Sequence, residues 1–282
     1  MSERAPFVDL LKRRWREHDT LLCVGLDPDL QRMPISLHNS ARPLFDFSRQ
    51  IVDATADLVC AFKPQAAYFA AAGCEQDLAD LIAYIHERHP QIPVILDAKR
   101  GDIGATARLY AIEAFERFAA DAVTVNPYLG HESVEPYLAF ADRGVIVLCR
   151  TSNPDSGWLQ NHPEDDPVFL RVARAAAEWN SHGNLMLVAG ATYADDLRRI
   201  RAAVGDMPLL VPGIGAQGGD LEAVLAAGSD SSGHGLVINA SRAVLYAGDG
   251  PDFAAAARAA AESLRDEIRR LQIEMAPDRT VV

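Results

Sequence analysis

The sequence predicts a (β/α)8 barrel forming one domain over residues 1–282, with an extra helix at its N-terminus, and three observations carry that prediction. Eight short apolar, β-rich runs recur at an even pace. Segments with helical periodicity separate them. The length of 282 residues, 49% of them hydrophobic, matches the roughly 250 residues that such a barrel takes as a single domain.

The runs fall at 21–26, 58–62, 93–96, 122–125, 145–149, 185–189, 209–211 and 236–238. They are continuously apolar rather than alternating. Parallel strands read this way because helices cover them outside and packed side chains fill them inside. Helical segments rich in Ala, Leu, Glu and Arg lie at 44–56, 76–89, 105–118, 166–179 and 221–227. The residues around 10–15 form the additional helix, and Phe253–Met275 a long closing one. Two irregular stretches, 27–42 and 151–167, follow the first and fifth strands. Both leave the C-terminal ends of strands, where barrels build their sites, so both are candidate covers for a ligand.

Composition excludes several classes. A net charge of −12 without any Lys/Arg-rich block argues against a nucleic-acid surface and against an anionic membrane. Glu3, Arg4 and Asp9 precede any apolar run, and no stretch approaches the roughly 18 uncharged apolar residues of a membrane span. A cytoplasmic protein is expected. Cys23, Cys60, Cys74 and Cys149 lack CxxC spacing, and three of them sit inside strand-like runs, as small core residues do. The eight histidines show no metal spacing, and with the cysteines scattered too no metal is expected.

The strand ends are unusually charged. Asp27 closes the first run, Lys63 the second, and Asp97 and Lys99 the third, with Asp102 close behind. Each has a bland reading beside the chemical one: Asp27 before Pro28 as a turn former, Lys63 reaching to solvent, and Asp97 with Lys99 as a structural ion pair. Residues i and i+2 of a strand share a side, which puts Asp97 and Lys99 together in the barrel mouth. An ammonium among carboxylates stays protonated, so Lys99 reads as a proton donor rather than a Schiff-base lysine. Later, the glycine-rich 211–220 follows the seventh strand and Arg242 follows the eighth. Backbone N–H groups and a guanidinium fork at those two places suit a phosphate.

Taken together, these motifs resemble the orotidine 5′-monophosphate decarboxylase family, and the likeness runs over nearly the whole chain. The residues that carry it are Asp97, Lys99, Asp102, Ile103 and Thr106 in the pattern D-x-K-x-x-D-I-x-x-T, with Lys63 on the preceding strand. They are joined by GLDP at Asp27, TSNPDSG after the fifth strand, PGIGAQGG with Gln217, and Arg242. DAKRGDIG, NPYLG and INASR are similar to the longer-chain branch, and INASR departs from the shorter branch in the residue before the arginine. The resemblance implies cofactor-free decarboxylation of orotidine 5′-monophosphate to UMP in pyrimidine biosynthesis. It implies that Asp97 faces the substrate carboxylate, that Lys99 protonates C6, and that Lys63 and Asp102 complete an alternating charge array. Asp27 and Thr106 would contact ribose, Ser152 the pyrimidine edge, and Gln217 with Arg242 the phosphate. It also implies a homodimer in which Asp102, Ile103 and Thr106 reach the neighbouring site.

Two other functions compete. A magnesium-dependent sugar-phosphate decarboxylase or hexulose-phosphate synthase of the same superfamily resembles the D-x-K-x-x-D pattern, but carries a metal-binding glutamate where this chain has Lys63. A catalytically inert nucleotide-binding barrel is the other. It would have no reason to keep Lys99 between two carboxylates.

Overall fold

A computed structural model describes residues 4–213 and 220–275. In chain order the elements are α1 (Phe7–Glu17), β1 (Leu22–Leu26), α2 (Pro43–Thr55), β2 (Ala61–Pro64), α3 (Ala66–Ala71), α4 (Glu75–Arg88), β3 (Ile95–Arg100), α5 (Gly104–Ile112), β4 (Ala122–Val125) and α6 (Glu135–Leu138). They continue as β5 (Gly144–Arg150), α7 (Gly157–Gln160), α8 (Val168–Trp179), β6 (Leu185–Ala189), α9 (Ala194–Val204), β7 (Leu209–Pro212), α10 (Leu221–Gly228), β8 (Leu236–Ala240), α11 (Arg242–Leu245) and α12 (Phe253–Met275).

All eight strands are parallel and pair in the order β2-β1-β8-β7-β6-β5-β4-β3. Single bridges from Phe62 to Val94 and from Gln65 to Asp97 join the two remaining edges, β2 and β3. The sheet thus closes almost completely, which removes the exposed edges of an open sheet. Every residue of β1, β4, β6 and β8 is buried, as the continuous apolar runs require. α1 covers the opposite end from the strand C-termini. Its Phe7 ring packs on Gly144 at the start of β5, where an added Cβ would lie 2.3 Å from the ring. Its buried Arg14 donates to the carbonyls of Val59 and Ala56 at 2.9 and 3.1 Å. The C-terminal mouth stays uncovered by this helix.

The element boundaries moved where side chains took over backbone bonds. The run 58–62 becomes a strand only from Ala61, because Thr20 and Arg14 bind the carbonyls of Leu58 and Val59 that a strand neighbour would otherwise use. β3 continues through its charged end to Arg100, whose carbonyl accepts from Asn126 N–H at 2.7 Å. The helix expected over 105–118 ends in a π-helical turn, Glu113–Arg117. Short helical turns occupy both long loops, at Leu30–Arg32, Ile35–Leu37 and Pro154–Ser156. All four thiols are unpaired, and Cys23, Cys60 and Cys149 are buried in the core. No helix among the described residues is long and apolar enough to cross a membrane.

Candidate active site

β2 and β3 place Lys63, Asp97 and Lys99 in one row at the barrel mouth. Lys63 Nζ lies 2.9 Å from Asp97 Oδ2, and Lys99 Nζ lies 2.7 Å from Asp97 Oδ1. One carboxylate therefore bridges two ammonium groups, each on its own oxygen. Lys63 is almost wholly buried, unlike the solvent-reaching lysine of the bland reading. Burial alone would lower its pKa, but the carboxylates of Asp97 and Asp27 outweigh it and hold the pKa above the ordinary lysine value. Burial would likewise raise the Asp97 pKa, yet the two lysines keep it well below the usual carboxylate range. Lys99 differs from Lys63 in access: 48% of its side chain is exposed. It is the member of the row that a ligand can reach.

Strand alternation is not how Asp97 and Lys99 meet. The β3–β4 register jumps from Leu96↔Val123 to Arg100↔Val125, and Lys99 has a φ of 46°. A left-handed backbone costs a non-glycine residue on the order of 1–2 kcal/mol, and such strain gathers at functional sites. Thr124 of β4, read from the sequence as one more strand residue, holds this bulge through its hydroxyl. The neighbouring cavity of about 310 Å³ has Lys63, Asp97, Lys99 and Thr124 on one wall and Thr151 and Ser152 on another.

Ser152 is positioned by a cluster that no motif revealed. Arg150, the last residue of β5, is 1% exposed and bonds Asp196 at 2.8 Å, Ser156 Oγ at 2.6 Å and Gln160 Oε1 at 3.2 Å, while its guanidinium lies 3.9 Å from the Tyr193 ring centre. Gly190, after β6, lets this segment come close: a Cβ there would sit 2.9 Å from Ser152 Cα and N. Across the mouth, Tyr246 donates to the Asp27 carbonyl at 3.2 Å and accepts from Asp29 N–H at 2.7 Å, fixing the exit of β1. Asp27 Oδ1 is buried without a hydrogen-bond partner among the described residues, an acceptor left open for a donor.

The other expected residues divide. Asp102 forms no ion pair with Lys99 of its own chain among the described residues, and its Oδ1 accepts from Ile103 N–H at 2.8 Å. Ile103 is 50% exposed, and Thr106 on α5 is exposed as well. Arg242 opens α11, is exposed, and has no ion pair among the described residues. Gly25 permits its approach to β1, since a Cβ there would fall 1.9 Å from Ser241 Oγ. Gln217 lies outside the described residues. Among the described residues no group of three or more His, Cys, Asp or Glu side chains is arranged to hold a metal ion.

A family model described as "Orotidine 5'-phosphate decarboxylase / HUMPS family" matches residues 20–259. The chain is similar to a protein named orotidine 5′-phosphate decarboxylase from Azoarcus sp. (strain BH72), with 60% identity over 264 residues, 93% of this chain and 98% of the other. A protein of the same name from Dechloromonas aromatica (strain RCB) is also 60% identical, with the same coverage. Among solved structures it is similar to Leishmania donovani OMP decarboxylase, with a TM-score of 0.83, 38% identity, and 95% of this chain and 99% of that one covered.

Proposed function

This chain belongs to the orotidine 5′-phosphate decarboxylase family, and from that membership we propose how its own residues carry out the decarboxylation of orotidine 5′-monophosphate to UMP in pyrimidine biosynthesis. The Lys63–Asp97–Lys99 row is the observation that carries the proposal. A substrate carboxylate seated against Asp97 meets a fixed like charge, and the repulsion weakens toward the transition state as the substrate's own charge moves off the departing carbon dioxide and onto C6. The C6–carboxylate bond breaks with its electron pair retained at C6. The half-exposed Lys99 ammonium stabilises that charge and delivers a proton to it, becoming a neutral amine that solvent reprotonates. Lys63 keeps Asp97 ionised. Asp27 would take a ribose hydroxyl on its open Oδ1, Ser152 would meet the pyrimidine edge, and Arg242 with Gln217 would hold the phosphate.

We further propose that the enzyme is a homodimer with shared sites, in which Asp102, Ile103 and Thr106 serve the partner. Support comes from Asp102, which makes no ion pair with its own Lys99 among the described residues, and from exposed apolar side chains on α5 and after β4: Leu109, Tyr128 and Leu129 are 63%, 76% and 46% exposed. A single domain over residues 1–282 is supported by the one sheet that takes in all eight strands. A cytoplasmic location accords with a role in nucleotide synthesis.

The test is loss of orotidylate absorbance with purified protein before and after exhaustive chelation. Turnover should survive, because Lys63 occupies with an ammonium the place where the magnesium-dependent rivals need a hard-cation ligand. Activity lost to EDTA and restored by magnesium would favour the sugar-phosphate chemistry, and no turnover at all would favour an inert nucleotide binder.

A further inference from the structure

We propose that Thr124 is a positioning residue for the decarboxylation, its single hydroxyl setting both the carboxylate of Asp97 and the backbone of Lys99. Between Leu96↔Val123 and Arg100↔Val125, β3 passes four residues while β4 passes two. The surplus residues of β3 have no regular ladder partners there. Thr124 supplies the substitute: its Oγ1 accepts from the N–H of Ala98 at 3.0 Å and of Lys99 at 2.9 Å.

The direction of the third bond is then forced. Backbone N–H groups can only donate, and a hydroxyl has two lone pairs and one proton. With both lone pairs taken, the proton points to Asp97 Oδ1, 2.9 Å away. That oxygen is the one Lys99 Nζ approaches at 2.7 Å. Thr124 is buried, 1% exposed, so its valences are filled within this cluster. The left-handed φ of 46° at Lys99 is therefore braced from a neighbouring strand, and the same atom fixes on Oδ1 the carboxylate that Lys63 holds on Oδ2. An apolar residue of the same shape would fill the space equally well and leave two N–H groups and a carboxylate lone pair unmatched. The reacting atoms do not include Thr124; it acts through Asp97 and Lys99.

This inference rests on the reading of Lys99 as proton donor, so Lys99→Ala is measured alongside. Thr124→Val should lower kcat about tenfold to a hundredfold, the range for sub-ångström misplacement of a reacting group. Affinity for UMP should stay within about threefold, since phosphate and base contacts lie on other loops. Thr124→Ser, which keeps the hydroxyl, should return kcat to within about threefold of the parent enzyme. A Thr124→Val enzyme as fast as the parent, a serine variant as slow as the valine one, or a loss that falls on UMP affinity in equal measure would each overturn the assignment. If Thr124→Val does not fold, Thr124→Cys replaces it, and unimpaired turnover by the cysteine variant overturns it too. Should Lys99→Ala itself keep turning over, the proton-donor reading fails. A dead Lys99→Ala beside a fully active Thr124→Val removes Thr124 alone.

Discussion

Gly190→Ala adds one methyl group, and the structure says where it goes. The new Cβ would lie 2.9 Å from the backbone N and Cα of Ser152 and 3.0 Å from its Cβ. Ordinary contact begins at about 3.4 Å, so the Ser152 segment must retreat by roughly half an ångström. It cannot swing away freely, because Arg150 and Gln160 clamp the residues on either side: Thr151 N–H donates to Gln160 Oε1 at 2.9 Å, and Arg150 holds Ser156 and Asp196. Misplacement by about 1 Å costs up to a hundredfold in rate, so half that distance should lower kcat/KM for orotidine 5′-monophosphate about tenfold. Inhibition by UMP should weaken in parallel, while ribose 5-phosphate, which has no base, should bind unchanged. The assays are steady-state turnover and competitive inhibition, with Tm measured as a control on folding. Unchanged kcat/KM, or an equal loss toward ribose 5-phosphate, would refute the placement of Ser152 against the pyrimidine.

Lys99→Ala should abolish turnover and retain UMP binding, whereas Arg242→Ala should raise the Kd for UMP by about tenfold or more, as expected for loss of a guanidinium–phosphate fork; inhibition assays separate the two. Mixing inactive Lys99→Ala and Asp102→Ala proteins, with subunit exchange followed by mass spectrometry, should restore about a quarter of parental activity, since half the dimers are mixed and each has one intact site. Mixtures that stay dead after exchange would place both residues in one subunit. At the closed end of the barrel, Asp121 accepts from Arg4, His86 and Val94 N–H. Burial raises its pKa, but His86 and Arg4 outweigh that and hold it below the ordinary value. A carboxyl depressed on folding contributes stability above its unfolded pKa of about 3.9 that is lost as pH falls through the lower folded value. Tm should therefore fall below about pH 4 less steeply in Asp121→Asn than in the parent, while at pH 7 the variant should be about 1–3 kcal/mol less stable by denaturant unfolding, the cost of weakening the bonds of buried donors to a charged acceptor.

What the sequence determines about this protein is what repeats and what is covalently near. Eight apolar runs alternating with amphipathic segments specify parallel strands behind helices, because burial on both faces is written into composition residue by residue. Lys63, Asp97 and Lys99 could be read as a site because barrel strands end at a common mouth, so position along a run already says where a charge will lie. The helix at 10–15, Phe253–Met275 and the core cysteines were legible for the same reason. Tertiary structure alone decided the rest. Thr124 in DAVTVNP has no local mark of a role; only the β3–β4 register shift brings its hydroxyl to Ala98, Lys99 and Asp97. Arg150, Gly190 and Tyr246 act across 46, 38 and 219 residues of sequence, on Asp196, Ser152 and Asp27 respectively. Their bonds are closures of the folded chain, fixed by which strand ends become neighbours, and no periodicity along the sequence encodes that distance.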